Sequence, residues 1–270
     1  MRTNTLRQVF ADGGVAVNAW VSGDSAYLAE VLSYSGFDAV TVDLQHGMFG
    51  LDGALRLIQA VSAGPSIPMV RPTSLDPAQI GKLLDGGAYG IICPSIDTPE
   101  HAQRLVSACR YPPRGARSFG PSRGLLYGGP DYVDNFEAEL LVWAMIESDA
   151  ALDNLEGIVA VDGIDGVYVG PNDLALSLGL RPGASTPVPQ VASALERIAA
   201  AAHMAGKVAG AFCADGQVGA WLAGIGYDLV TPGNDAGLLR AAAKERIAQV
   251  HRAAAVGTRG SAVGVSVGGY

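Results

Sequence analysis

The sequence predicts a single α/β domain of the (β/α)8 TIM-barrel type, and three observations carry that expectation. The chain has 270 residues, close to the roughly 250 of one such barrel. Eight short apolar runs recur along it, several apolar on both faces, as strands of a helix-covered parallel sheet are. Between them lie helical patterns, and no linker, composition break or long-period repeat divides the chain.

The expected strands are Val15–Ser22, Phe37–Leu44, Ile67–Thr73, Tyr89–Ile96, Leu140–Ser148, Asp165–Gly170, Lys207–Ala214 and Tyr227–Pro232. Runs such as Val40-Thr41-Val42 and Gly90-Ile91-Ile92-Cys93 have the two-sided apolar character of buried parallel strands. Asp76-Pro77 and Thr98-Pro99 each read as an N-cap followed by proline in the first helical turn. Gly36 after Ala26–Ser35, Gly86 after Ala78–Asp85 and Gly206 after Val191–Ala205 read as helix ends. Alanine-rich Ala236–Ala255 predicts a long last helix. The expected organisation is one barrel domain over residues 1–256 and a small-residue tail at 257–270, a loose segment or intersubunit arm. Arg110–Glu139 stands out as a long connection after the fourth strand, the kind that is usually functional or disordered.

Composition excludes several functions. Acidic residues outnumber basic ones 26 to 18, giving net charge −8, a poor balance for nucleic-acid binding. No apolar run reaches the length of a membrane-spanning helix, so no membrane partner is expected. Cys93, Cys109 and Cys213 form no close-spaced metal pattern and cannot all pair, which points to a reducing cytoplasm.

In such a barrel the chemistry sits at the C-terminal ends of the strands. Strand two ends in Asp43-Leu44-Gln45-His46, strand three in Arg71-Pro72, strand five in Met145-Ile146-Glu147, and strand six in Gly170-Pro171-Asn172-Asp173. His46 is a candidate proton carrier, with Asp43 three residues earlier able to orient a ring nitrogen. Arg71 aims a planar donor fork where carboxylates or oxyanions bind, or closes a barrel salt bridge. Glu147 follows a largely apolar run, so a metal ion or the arginine must compensate its charge. Asp173 either joins Glu147 at such an ion or caps a short helix, Leu174–Leu178. Two carboxylates with open positions suit a hard divalent ion such as Mg²⁺ or Mn²⁺. The Gly170–Asp173 turn can present backbone N–H groups to an anion.

Lysine is informative by its places. The three are Lys82 and Lys244 inside helical patterns and Lys207 at the entry of strand seven. None stands at a strand exit, where a Schiff-base nucleophile would be needed. Carbonyl chemistry on this barrel would therefore use a metal-stabilised enolate.

These motifs resemble a known family. Val42-Asp43-Leu44-Gln45-His46-Gly47, Arg71-Pro72, Leu83-Leu84-Asp85-Gly86-Gly87-Ala88, Tyr111-Pro112-Pro113-Arg114-Gly115-Ala116-Arg117, Met145-Ile146-Glu147 and Gly166-Val167-Tyr168-Val169-Gly170-Pro171-Asn172-Asp173-Leu174 occur in this order. Together they look like the HpcH/HpaI aldolase/citrate lyase family, and within it the metal-dependent (class II) pyruvate aldolases. The resemblance implies a lyase that joins or cleaves a 2-oxo acid, pyruvate or hydroxypyruvate, and an aldehyde. It implies a divalent cofactor (Mg²⁺, Mn²⁺ or Co²⁺) on Glu147 and Asp173, a substrate-polarising Arg71, and a catalytic His46 with partner carboxylates Asp43 and Asp85. Gly170, Pro171, Asn172 and Asp173 would line the substrate. It also implies a homohexamer in which the last helix is exchanged between neighbours. Arg114, Arg117, Ser118 and Ser122 would contact the aldehyde or a neighbouring subunit, or merely order their loop. Two positions depart from several members: Leu44-Gln45-His46 replaces Gly-Glu-His, and Met145 replaces a glutamine. Methionine offers substrate no hydrogen bond, so these positions bear on substrate scope.

Two other functions stay open on the sequence. A CoA-thioester lyase of the citrate or malyl-CoA type would need a basic rim for the nucleotide, which three lysines hardly supply. A non-catalytic oxo-acid-binding barrel would never exchange the methyl protons of pyruvate.

Overall fold

The structure, a computed structural model, describes residues 1–183 and 188–255 and contains a closed parallel barrel. Its strands are β1 (Ala16–Val21), β2 (Ala39–Asp43), β3 (Ile67–Arg71), β4 (Gly90–Cys93), β5 (Leu141–Ile146), β6 (Gly166–Val169), β7 (Val208–Cys213) and β8 (Leu229–Pro232), with β8 closing on β1. Every expected strand forms, each trimmed at one or both ends. Proline is one reason: Pro72 and Pro94 directly follow β3 and β4 and have no N–H to continue a ladder.

The helices are α1 (Thr5–Ala11), α2 (Ala26–Ser33), α3 (Leu51–Ala63), α4 (Pro77–Asp85), α5 (Pro99–Cys109), α6 (Ser122–Gly128), α7 (Tyr132–Glu139), α8 (Asp149–Asp153), α9 (Leu155–Val159), α10 (Pro171–Ser177), α11 (Pro189–Met204), α12 (Gly216–Gly224) and α13 (Asp235–Ala255). Asp76 and Thr98 cap α4 and α5, accepting from the N–H groups of Ala78 and His101. At the end of α4 the left-handed residue is Gly87 (φ 100°), one later than the expected Gly86. A Cβ at Gly87 would stand 2.3 Å from the Arg123 guanidinium, which donates to the Gly86 carbonyl.

Strand alternation divides the buried side chains into two cores. Val40, Val42, Val70, Ile91, Val142, Ala144, Val167 and Ala209 pack outward under the helices. Ala16, Trp20, Ala39, Ile67, Met69, Ile92, Trp143, Met145 and Tyr168 fill the lumen, with Leu6 of α1 in the same cluster. The lumen is partly polar: Asn18, Thr41, Thr231 and the Tyr168 hydroxyl lie within hydrogen-bond distance of one another.

The long connection from Arg110 to Glu139 is ordered by its own arginines. Buried Arg117 pairs with Asp85 at 2.8 Å and lies over the rings of Tyr111 and Phe136, while Arg114 pairs with Glu137 at 2.8 Å. Both guanidinium groups are thus engaged within their own chain, as the loop-ordering reading expected.

Contacts divide the chain into two units, Met1–Asp235 and Ala236–Tyr270. In the second, α13 continues to Ala255 as expected and carries exposed Leu239, Ile247 and Val250. The tail expected at 257–270 lies outside the described residues.

Candidate active site

The strand exits bring five of the expected residues, Asp43, His46, Arg71, Glu147 and Asp173, to one mouth of the barrel. Asp43 is the last residue of β2 and Arg71 the last of β3, and the sheet register sets them side by side. Each has the parity of the lumen-facing residues of its strand. Arg71 donates through Nε (2.7 Å) and one terminal nitrogen (2.6 Å) to the two oxygens of Asp43, a planar bidentate pair. Both are buried, Asp43 at 1% and Arg71 at 8% exposure.

Trp20, the inward residue near the end of β1, completes this group, and sequence reasoning missed it. Its indole N–H donates to Asp43 (3.0 Å), and Arg71 lies 4.9 Å from the ring centre. Below, Trp20 stacks on Tyr168 at 5.6 Å. Its signal in the sequence was a large aromatic at an inward strand position, which reads equally well as core. Burial alone would push the Asp43 carboxyl up, but the hydrogen bonds and charge of Arg71, with the Trp20 and His46 N–H groups, hold it below its ordinary value.

His46 stands on the turn after β2 and is exposed. Its backbone N–H, at 3.4 Å, and that of Gln45, at 3.1 Å, approach the Asp43 carboxylate. The expectation that Asp43 orients the imidazole is therefore corrected: both carboxylate oxygens serve Arg71, Trp20 and the turn. Asp85 is corrected as a same-chain partner too. It ends α4, just before β4 begins, at the opposite mouth from His46, where it binds Arg117.

Glu147 follows β5 with lumen parity and is 9% exposed. Its Oε1 accepts from the Ser95 N–H at 2.8 Å and from the Ser95 hydroxyl at 3.4 Å. Burial raises the Glu147 carboxyl above its ordinary value; the Ser95 N–H opposes this, the Asp173 charge adds to it, and Arg71 opposes it. Met145, two residues before, is buried at 1% in the lumen and offers no donor to this carboxylate.

The helix after β6 begins earlier than expected. Proline 171 opens α10 at Gly170, so Asp173 sits in its first turn, exposed, and is not the cap of Leu174–Leu178. Asn172 uses its side-chain oxygen to accept from the Gly183 N–H at 2.9 Å, tying down the chain beyond α10. Gly170 is the tight point: a Cβ there would stand 2.7 Å from Glu147 Oε2 and 3.3 Å from the Met145 methyl.

These features suit a cation. Oε1 of Glu147 is engaged by Ser95, whereas Oε2 has no protein donor among the described residues and faces the glycine cradle. The nearby negative charge of Asp173 adds to its demand for a positive partner. No group of three or more His, Cys, Asp or Glu side chains forms a metal cage among the described residues. Two carboxylates leave room for water and substrate oxygens around a hard cation such as Mg²⁺ or Mn²⁺. Gly170→Ala is expected to weaken Mn²⁺ affinity at least about tenfold, read by titration of the purified protein. Unchanged affinity would show that Glu147 does not need that space.

Known proteins share this arrangement of chain. The sequence model of the HpcH/HpaI aldolase/citrate lyase family matches residues 17–256. A hydroxypyruvate/pyruvate aldolase of Rhizorhabdus wittichii is 41% identical over 245 residues, covering 91% of this chain and 98% of the relative. A 2-keto-3-deoxy-L-rhamnonate aldolase of Escherichia coli is 36% identical over 251 residues, covering 91% and 92%. Among solved structures, an HpcH/HpaI aldolase/citrate lyase family protein from Burkholderia cenocepacia superposes with a TM-score of 0.86 at 31% identity, covering 92% of this chain and all of that one.

Proposed function

The chain belongs to the HpcH/HpaI aldolase/citrate lyase family, and from that premise we propose that it catalyses reversible aldol addition between pyruvate or hydroxypyruvate and an aldehyde. The observation that carries this reading is a buried guanidinium, Arg71, with an unspent donor edge near Glu147, a buried carboxyl raised above its ordinary value by burial.

Glu147 and Asp173 would hold a divalent cation, which supplies Lewis-acid polarisation of the 2-oxo acid. Arg71 commits Nε and one terminal nitrogen to Asp43 and turns its other terminal nitrogen to the substrate. There it stabilises the negative charge that grows on the C2 oxygen as the donor loses a proton from C3. Because Asp43 and Trp20 fix the guanidinium beforehand, little reorganisation accompanies that charge. His46, on the turn at the same mouth, takes the C3 proton on a ring nitrogen. The apolar Met145 gives the donor no hydrogen bond, so donor choice falls on Arg71 and the shape around Gly170.

The family resemblance pairs His46 with Asp85, yet one chain keeps these at opposite mouths. In our reading Asp85 reaches the site of another copy, which makes the enzyme an obligate oligomer, a hexamer in keeping with that resemblance. Leu239, Ile247 and Val250 give α13 an apolar face for such exchange, and residues 1–256 then act as one barrel domain with its exchanged helix. A direct check is complementation. His46→Ala and Asp85→Asn proteins, each impaired alone, are expected to regain measurable turnover when co-expressed, because some sites then carry both native residues. Two separately impaired variants that never complement would keep Asp85 within its own chain.

Among the described residues no helix is long and apolar enough to cross a membrane, and Cys93, Cys109 and Cys213 are free and buried, which suits a reducing cytoplasm. The deciding experiment is an aldehyde panel with pyruvate and hydroxypyruvate, run before and after chelation and cation add-back. Cation-dependent aldol product supports the reading. Reaction of acetyl-CoA with glyoxylate in place of any aldol product would favour the thioester lyase. Absence of methyl-proton exchange from pyruvate in D₂O with cation present would favour a binding protein.

A further inference from the structure

Ser95 is the described residue other than glycine whose backbone is left-handed, with φ at 57°. L side chains rarely adopt that conformation, and such strain persists where surrounding structure enforces it. Ser95 follows Pro94 at the exit of β4, next to β5 in the barrel. The left-handed turn sends both its N–H (2.8 Å) and its hydroxyl (3.4 Å) to the same oxygen, Oε1 of Glu147. The other oxygen, Oε2, is the one a Cβ at Gly170 would crowd. One side of the carboxylate is therefore pinned by a strained backbone, and the other faces a cradle kept clear by glycine.

We propose that Ser95 is a positioning residue: its left-handed turn fixes the Glu147 carboxylate so that Oε2 is presented for divalent-cation binding. This rests on the reading of Glu147 as a cation ligand. The backbone amide carries the effect, because it makes the shorter bond and because its aim depends on the turn. A ligand already held by an N–H loses less rotamer freedom on binding, and partners of this kind are worth about 10–100-fold in metal affinity. The hydroxyl, at 3.4 Å, adds little.

The test is Mn²⁺ affinity, read by electron paramagnetic resonance of free Mn²⁺ in the absence of substrate, with melting temperature measured alongside. Glycine adopts positive φ freely, so Ser95→Gly keeps the turn and amide while losing the hydroxyl. It is expected to bind Mn²⁺ within about threefold of wild type and to melt no lower. Ser95→Val and Ser95→Thr add a β-branch that disfavours this backbone, and each is expected to weaken Mn²⁺ at least about tenfold. Ser95→Thr keeps the hydroxyl, so its loss assigns the effect to the backbone, and it carries the test if Ser95→Val fails to fold. Wild-type affinity in folded Ser95→Thr would overturn the proposal, as would equal losses in Ser95→Gly and Ser95→Thr. Glu147→Gln separates this from the underlying reading. If wild type and Glu147→Gln bind Mn²⁺ equally, the cation assignment itself fails, whatever Ser95 does.

Discussion

Arg71→Ala is expected to lower turnover by about 10²–10³-fold, the usual effect of removing one preorganised stabiliser of a developing oxyanion. It should also destabilise the fold by about 3–5 kcal/mol, because Asp43 would remain buried at 1% exposure without its cation. The two effects are separable. In Asp43→Asn/Arg71→Ala the uncompensated charge is gone, so much of the stability returns while turnover stays low. If the double variant recovers turnover with stability, Arg71 acts only as a structural partner and its catalytic assignment fails.

The same pair predicts a pH dependence. Asp43's carboxyl is held below its ordinary value of 3.8, so its ionised form contributes stability above that value. That contribution is lost as pH falls through the lowered folded-state value. The difference in melting temperature between wild type and Arg71→Ala should therefore be full at neutral pH, shrink on acidification as the unpaired buried carboxylate of the variant takes up a proton, and shrink further below about 3.8 as the wild-type contribution is lost. A difference that grew on acidification would contradict the assignment.

Removing the divalent cation is the second large effect. Thorough chelation is expected to abolish both aldol turnover and exchange of the pyruvate methyl protons, and Mg²⁺ or Mn²⁺ should restore both. Activity that survives chelation would exclude the cation reading. Glu147→Gln should behave like permanent chelation but with a stability gain. Burial raises the Glu147 carboxyl above its ordinary 4.5, with Asp173 adding to the rise. As pH rises from 4.5 through the folded-state value, ionised Glu147 costs stability in the cation-free protein. Cation-free Glu147→Gln should consequently melt higher than wild type at neutral pH, and the gain should vanish in acid. Loss of function together with gain of stability marks a group held against its own preference for the sake of a ligand.

The candidate residues were legible from a position argument: eight strands, lumen chemistry at their exits, and few ionisable groups standing there. Asp43, Arg71 and Glu147 all took the lumen parity that their strands dictate. Strand position did not reveal which partner each side chain would choose. Asp43 lies three residues before His46, and proximity along the chain favoured that pair. In the fold the register between β2 and β3 places Arg71 directly beside Asp43, and a bidentate ion pair wins over a contact with an exposed imidazole. Asp85 illustrates the same limit, since helix α4 returns the chain to the far mouth and delivers it to Arg117. Trp20 and Ser95 were missed for different reasons. A tryptophan at an inward strand position reads as core, and the left-handed backbone of Ser95 has no residue-type signature.

Sequence alone determined the architecture, because strand alternation, proline starts and glycine ends are local properties that every segment states for itself. It also determined the chemical inventory, including the absence of a lysine at any strand exit, on which the cation proposal builds. Tertiary structure alone decided the wiring: Trp20 to Asp43, Asp43 to Arg71, Ser95 to Glu147, and the gap that Gly170 leaves beside Oε2. Those contacts join residues 23 to 52 positions apart. Their geometry depends on barrel register and backbone φ, which are set only when the sheet closes.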